Sequence, residues 1–195
     1  MKVEPITLEG RRVKLVPISP IHIEGLIKAG QAPEIWPYMP YPVNSRESAE
    51  IFIREAIAEQ EAGQSVVFTI IDKESDQIAG STRYLEIVSA NRGLEIGWTW
   101  INPSFWRTRV NSECKYLLLR HAFEECGAIR VQLKADSRNE RSCTAIARLG
   151  AQYEGKLRNH RILRDGYFRD TVYFSILDRE WSGVKDKLER VLKEV

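Results

Sequence analysis

Glu95 is the only charged residue in the run LEIGWTWI (94–101). A carboxylate set among apolar neighbours has two readings. It stands at the working face of a sheet, where partial burial raises its pKa towards that of a useful base, or it is paired with a cation such as Arg83. A Pro-bearing connector follows, carrying Arg107 and Arg109, and then an apolar-periodic segment free of Gly and Pro from Asn111 to about Cys126. Strand, polar loop and helix start is where a chain offers bare N–H groups and a favourable dipole to an anion. The residues so placed are Arg107, Thr108, Arg109, Val110, Asn111 and Ser112; the plainer alternative is an ordinary connection with two solvated arginines. Asn139 and Ser142 form an N-x-x-S at another helix start, where Asn139 suits an N-cap. His160 on a late strand is a candidate base, whereas His121 lies within the long helix and reads as packed. Cys143 adjoins Ser142 without a paired base. With an odd count and no CxxC, Cys114, Cys126 and Cys143 read as reduced, buried thiols.

The elements that must hold these residues follow from periodicity. Arg12 to Ile18 reads as a first strand, and Ser19-Pro20 opens a short helix that ends at Gly30. Ala32 to Val43 (APEIWPYMPYPV) holds four prolines with Trp36, Tyr38 and Tyr41. It is either a packed surface loop or an aromatic wall on a substrate pocket. Asn44 with Glu47 resembles a capping box for a helix to about Ala62. Strands follow at 66–71, 78–88 and 94–101, then the long helix, a strand at 129–135 and a short helix at 140–149. A hairpin of 155–163 with 167–177 turns at Asp165-Gly166, and an amphipathic surface helix covers 184–195. One strand–helix–strand crossover inside an otherwise antiparallel set predicts an α/β fold with a mixed sheet and helices on both faces.

At 195 residues the chain is read as one domain, 1–195. Its composition, 43% apolar and 29% charged, is that of a globular protein. A net charge of +2, spread without a basic block, argues against nucleic acid as a partner. With no apolar leader and no run of 18 apolar residues, neither export nor a membrane span is expected, and the chain is read as cytoplasmic.

The element order resembles the GNAT acetyltransferases, and the second half is similar to their RimJ/RimL-like branch. The stretches that carry the likeness are LEIGWTW (94–100), VNSECKYLLLRHAFEE (110–125), IRVQLKADSRNERSCTAIARLGA (129–151), EGKLRNH (154–160) and DGYFRDTVYFSILDREW (165–181). Before residue 94 it rests mainly on Leu8-Glu9-Gly10-Arg11 and the Trp36 loop.

The resemblance implies an N-acetyltransferase that moves an acetyl group from acetyl-coenzyme A to a primary amine by direct transfer. The acceptor would be a protein N-terminus or a small molecule, and no metal would take part. It places the pyrophosphate on backbone N–H groups of the loop before the long helix and the pantetheine along the strand that includes Trp98, Thr99 and Trp100. It gives Glu95 the role of base, Asn139 a bond to the pantetheine, and Ser142 that of donor to the thiol. Trp36, Tyr38, Tyr41 and His160 would line the acceptor pocket. The family's loop pattern, Gln/Arg-x-x-Gly-x-Gly/Ala, falls on Trp106 to Asn111. Arg109 stands at the first Gly, where it either obstructs a phosphate or pairs with it. That departure keeps open a catalytically degenerate, coenzyme A-binding or interaction protein of the same fold. Homodimer formation is also left open by the long hairpin and the tail.

Overall fold

The computed structural model describes residues 1–193. Strands β1 (Leu8–Glu9) and β2 (Val13–Pro17) lead through a 3₁₀ turn into α1 (Ile23–Ala29), then α2 (Arg46–Glu61), β3 (Val66–Asp72), β4 (Gln77–Val88) and β5 (Gly93–Ile101). Helix α3 (Val110–Arg120) crosses to β6 (Arg130–Asp136), followed by α4 (Glu140–Leu149), β7 (Gln152–Ile162), β8 (Phe168–Leu177) and α5 (Asp178–Lys193). The sheet order is β1-β2-β3-β4-β5-β6-β8-β7. Among the described strands, β5 and β6 are the neighbours that pair in parallel, since α3 carries the chain back to the same end of the sheet and sets β6 beside β5.

Strand alternation divides the core between the two faces. Phe68, Ile70, Tyr84 and Ile96 pack with Leu117, Leu118, Trp181 and Leu188 of α3 and α5. The intervening Val67 and Trp100 pack with Leu26, Phe52 and Ile53 of α1 and α2. Helices α4 and α5 are the ones that pack against β6 and β8. They do so on the α3 side, so the other face of these strands carries the polar set Gln132, Lys134, Thr171, Tyr173 and Ser175.

The mixed sheet and its helices match the sequence reading, with local differences. Strand β1 is an added two-residue edge. It is fixed by Glu113 of α3, whose carboxylate accepts the N–H groups of Arg11, Arg12 and Val13 at 2.7, 2.9 and 2.8 Å. Gly10 is needed there, since a Cβ would stand 2.5 Å from Glu113 Oε1. The cap of α2 is Ser45 with Ser48, not Asn44 with Glu47: Ser45 has the extended backbone of an N-cap and takes the N–H of Ser48. The long helix ends in a π turn, His121–Glu125, held by Cys126 N–H to His121 O at 2.9 Å. The tail helix starts at Asp178, six residues before the expected start, where Glu180 accepts the N–H of Leu177 at 2.9 Å. Its expected last residues, 194–195, lie outside the described residues.

Candidate active site

Strands β5 and β6 pair over only three positions, Gly93 with Arg130, Leu94 with Val131 and Glu95 with Gln132. Beyond them β5 runs on to Ile101 and β6 to Asp136, each bonded only to its outer neighbour. The result is a wedge open towards the C-terminal ends of two parallel strands, the end of such sheets where ligands bind. Helices α3 and α4 both begin there, because each follows its strand. On the β4 side, Gly97 opposes Arg83 and Trp100 opposes Ser81. Three steps of β5 thus span two of β4, which is a bulge. Trp98 takes up the extra residue at φ +48°, a costly conformation for a bulky side chain and one that gathers at functional sites.

Glu95 stands at the apex of the wedge, 1% exposed. Its room comes from Gly97, where a Cβ would fall 2.6 Å from Glu95 Oε1. Its partner is not Arg83, which is taken by Glu59 at 3.0 Å and stacks 4.3 Å from the Trp98 ring. Instead Lys134 donates to Glu95 at 2.8 Å and to Glu86 at 2.7 Å, and Gln132 donates to Glu95 at 3.0 Å. Burial raises the pKa of Glu95 against the hydrogen bond from Lys134. Burial also works against the charge of Lys134, but its bonds to Glu86 and Glu95 carry its pKa up. One ammonium shared by two carboxylates leaves the more deeply buried acid the easier to protonate.

At the mouth of the wedge the left-handed position is Arg107, φ +61°. Arg109 is the N-cap of α3 with φ −73° and gives that helix no side-chain cap. Its guanidinium turns away to donate to Leu192 O of α5 at 2.8 Å. The side chain lies against α5 and not over the loop. Thr108 Oγ1 accepts from Val110 N–H at 3.3 Å, and Trp106 Nε1 donates to Ile101 O at 2.7 Å. Arg141 of α4 lies 3.7 Å from the Trp106 ring, bringing a cation to the α3 loop. Asn111 and Ser112 occupy the first turn of α3. Asn139 caps α4 through Ser142 N–H at 3.0 Å, and Ser142 itself is half-buried.

The aromatic loop divides. Trp36 is used in packing: its ring lies 5.1 Å from that of Trp100 and its Nε1 donates to Gly30 O at 2.9 Å. Tyr38 donates to Arg138 O at 3.3 Å, and Tyr41 donates to Glu55 at 2.7 Å while its ring meets Trp98. Burial pushes the Tyr41 hydroxyl up beyond its usual range. His160 contacts Thr171 Oγ1 at 3.0 Å on the polar face of β8, and burial lowers its pKa. His121 is packed, stacked on Tyr84 within the core.

Sequence reasoning missed two lysines. Lys134 and Gln132 are the polar alternates of IRVQLKA, so reading that alternation across the crossover would have set them beside Glu95. Lys115 is 7% exposed, and its Nζ donates to Thr99 Oγ1 at 2.6 Å; Thr99 meets Thr82 at 2.8 Å. Burial lowers the pKa of Lys115 to about 8. No signal but its place on the apolar stripe of α3 marked it.

A mixed sheet whose one parallel pair splays between two helix starts defines the acyl-coenzyme A N-acyltransferase class of fold. The chain belongs to the GNAT acetyltransferases: residues 12–152 match the family described as the acetyltransferase (GNAT) domain. It is 31% identical over 121 residues to an uncharacterized N-acetyltransferase, p20 of Bacillus licheniformis, covering 62% of this chain and 67% of that one. It is 38% identical over 95 residues to YdaF of Bacillus subtilis strain 168, named as a candidate ribosomal N-acetyltransferase, covering 49% of this chain and 51% of that one. The chain thus spans about two thirds of the length of p20 and half of that of YdaF. A structure described as a candidate acetyltransferase from T. thermophilus superposes with a TM-score of 0.87 at 37% identity, over 98% of this chain and all of that one. RimJ of Mycobacterium smegmatis, solved in complex with CoA-disulfide, shares the fold at a TM-score of 0.84 and 19% identity, over 96% and 95% of the two chains. These relatives are in keeping with the RimJ/RimL-like branch. Among the described residues no helix is long and apolar enough to cross a membrane.

Proposed function

We propose that the chain transfers an acetyl group from acetyl-coenzyme A to a primary amine, and that the wedge between β5 and β6 is where it does so. The observation that carries this reading is the position of Glu95, a buried acid at the point where the two strands part. Acetyl-coenzyme A supplies a thioester. The unpaired edge of β5 from Ile96 to Trp100 offers backbone groups to an extended amide-bearing arm, as a neighbouring strand would. The first turn of α3, at Val110, Asn111 and Ser112, with the loop at Arg107 and Thr108, offers N–H groups to phosphates. Asn139 and Ser142 stand across the wedge at the start of α4.

In the reaction the amine nitrogen bonds to the acetyl carbon, the carbon–sulfur bond breaks, and its electron pair leaves with sulfur. Glu95 takes the proton that the amine gives up, and Ser142 donates one to the departing thiolate. Backbone N–H groups at the β5 bulge polarise the carbonyl, an arrangement already in place before reaction. Glu95 is the base in its ionised form, so its raised pKa puts the acid limb of the rate above the usual carboxylate range. The name of YdaF, a candidate ribosomal N-acetyltransferase, supports a protein amine as one acceptor class. Thiol release on a panel of peptide and small-molecule amines tests the reading. Turnover that depends on both amine and Glu95 is expected; thiol release from no amine at all would leave a non-catalytic member of the fold.

A further inference from the structure

On the polar face of the sheet, two arginines stand directly opposite each other across the final hairpin. Arg161 of β7 and Arg169 of β8 are register partners. Side chains so paired in an antiparallel ladder share a face, and like charges there are destabilising. Arg169 lies on the same face as Thr171 and Tyr173, opposite to the core residues Val172, Phe174 and Ile176. That is the face on which Lys134 approaches Tyr173 and His160 meets Thr171, so the arginines border the Glu95 site.

Neither guanidinium has a carboxylate partner among the described residues. Arg169 is half-buried and its Nε is buried without any hydrogen-bond partner. Burial lowers its pKa, Asp136 and Glu95 act on it from a distance to raise it, and Arg161 lowers it further. Arg161 acts in turn on Glu86. The nearby acids are otherwise engaged: Asp136 holds Arg138 at 2.9 Å, and Glu86 and Glu95 share Lys134. A guanidinium fork presents paired donors that suit carboxylate and phosphate. A fold that keeps one half-buried, unpaired and faced by a second cation gives up stability at that point, as functional sites do.

We infer that Arg161 and Arg169 form an oxyanion-binding subsite for the acceptor, which therefore carries a carboxylate or phosphate as well as the amine. The site is bipolar. Glu86 and Glu95 face the amine end, and the arginine pair faces the anionic end. This rests on the acetyltransferase reading for the identity of the acceptor, but not for the anion site itself.

Two arms test it. In the first, without any coenzyme A, melting temperatures in inorganic phosphate are compared with those in chloride at equal ionic strength. The wild type should gain about 2–4 °C from phosphate. Arg169→Gln and the exposed-site Arg161→Gln should lose at least half of that gain, while melting no lower than the parent in chloride. Equal phosphate gains in parent and both variants overturn the anion subsite, whether or not an amine turns over. In the second arm, thiol release is measured on matched acceptors: peptides with Asp or Asn at the second position, and O-phosphoethanolamine beside ethanolamine. The anionic member should be preferred by about tenfold in kcat/KM, about 1.4 kcal/mol, with the preference lost in Arg169→Gln. The two pairs separate a carboxylate from a phosphate. Turnover without preference overturns the acceptor assignment. Absence of all turnover strikes the acetyltransferase reading and leaves the phosphate arm to decide the subsite.

Discussion

The two halves of the sheet treat charge differently. On the β1–β4 half, buried charges are matched: Arg12 with Asp72 at 2.6 Å, Arg83 with Glu59, and Glu113 with three backbone N–H groups. On the β5–β8 half, Glu95 must share Lys134 with Glu86 from the end of β4, and Arg161 and Arg169 face each other with no acid between them. Matching supports the fold, whereas mismatch leaves groups with pKa values and donors that a substrate can use. The half with unbalanced charges is also the half where the parallel strands part.

The sharpest way to break this contrast is at Glu95. Glu95→Gln keeps the shape and the bond from Lys134 but cannot take a proton. The expected loss is about 10²–10⁴-fold in kcat, with KM for acetyl-coenzyme A little changed and the acid limb of the pH–rate profile gone. Full activity across pH would remove Glu95 from the reaction. On the matched half, Glu113→Ala leaves three backbone donors without their acceptor, at about 1–3 kcal/mol for each buried group. A stability loss of about 3 kcal/mol or more in urea denaturation is expected, through the anchoring of β1 and β2; a loss below about 1 kcal/mol would contradict the network.

Much of this was legible in advance. The parallel crossover from 94 to 135 followed from an apolar run, a Gly-free helical period and an alternating run, so the place of the wedge was set by local pattern. Glu95 stood out because a lone acid in an apolar strand is improbable without a task or a partner. Its partner was not legible, since Lys134 meets it only through the parallel register. The placing of Arg109 was hidden for a related reason. Alignment to a glycine says which backbone conformation a family uses, but here the positive φ falls on Arg107, and the Arg109 side chain leaves the loop for α5. The arginine pair was within reach of the sequence: counting back from the Asp165-Gly166 turn, with the strands ending at Leu163 and Tyr167, sets Arg161 opposite Arg169, and the register shifts only beyond it, between Leu157 and Arg161.

Lys115 gives a prediction of intermediate size. Unfolded, a lysine holds its proton to about pH 10.5, whereas in the fold Lys115 loses it near pH 8. Between those values the unfolded chain binds more protons, so stability rises with pH through this group and is lower below it. Lys115→Met should therefore exceed the parent in stability by about 3 kcal/mol at pH 7, with the gap closing towards pH 10.5. Denaturation midpoints across that range check it; a gap independent of pH would mean that Lys115 keeps an ordinary pKa. The smallest effect is expected at Arg109, whose side chain has found its partner on the matched side. Arg109→Ala should change acetyl-coenzyme A affinity by less than about threefold, roughly 0.6 kcal/mol. A tenfold loss would put its guanidinium on the phosphates after all.

If the parting of β5 and β6 makes a coenzyme site, the free protein binds the coenzyme there. Calorimetric titration of the purified protein with acetyl-coenzyme A, beside coenzyme A, measures that binding. Binding in the micromolar range, about −8 kcal/mol, is the expected result, kept in Arg109→Ala. No heat of binding at millimolar ligand would contradict the account, leaving the wedge a feature of the fold without its ligand.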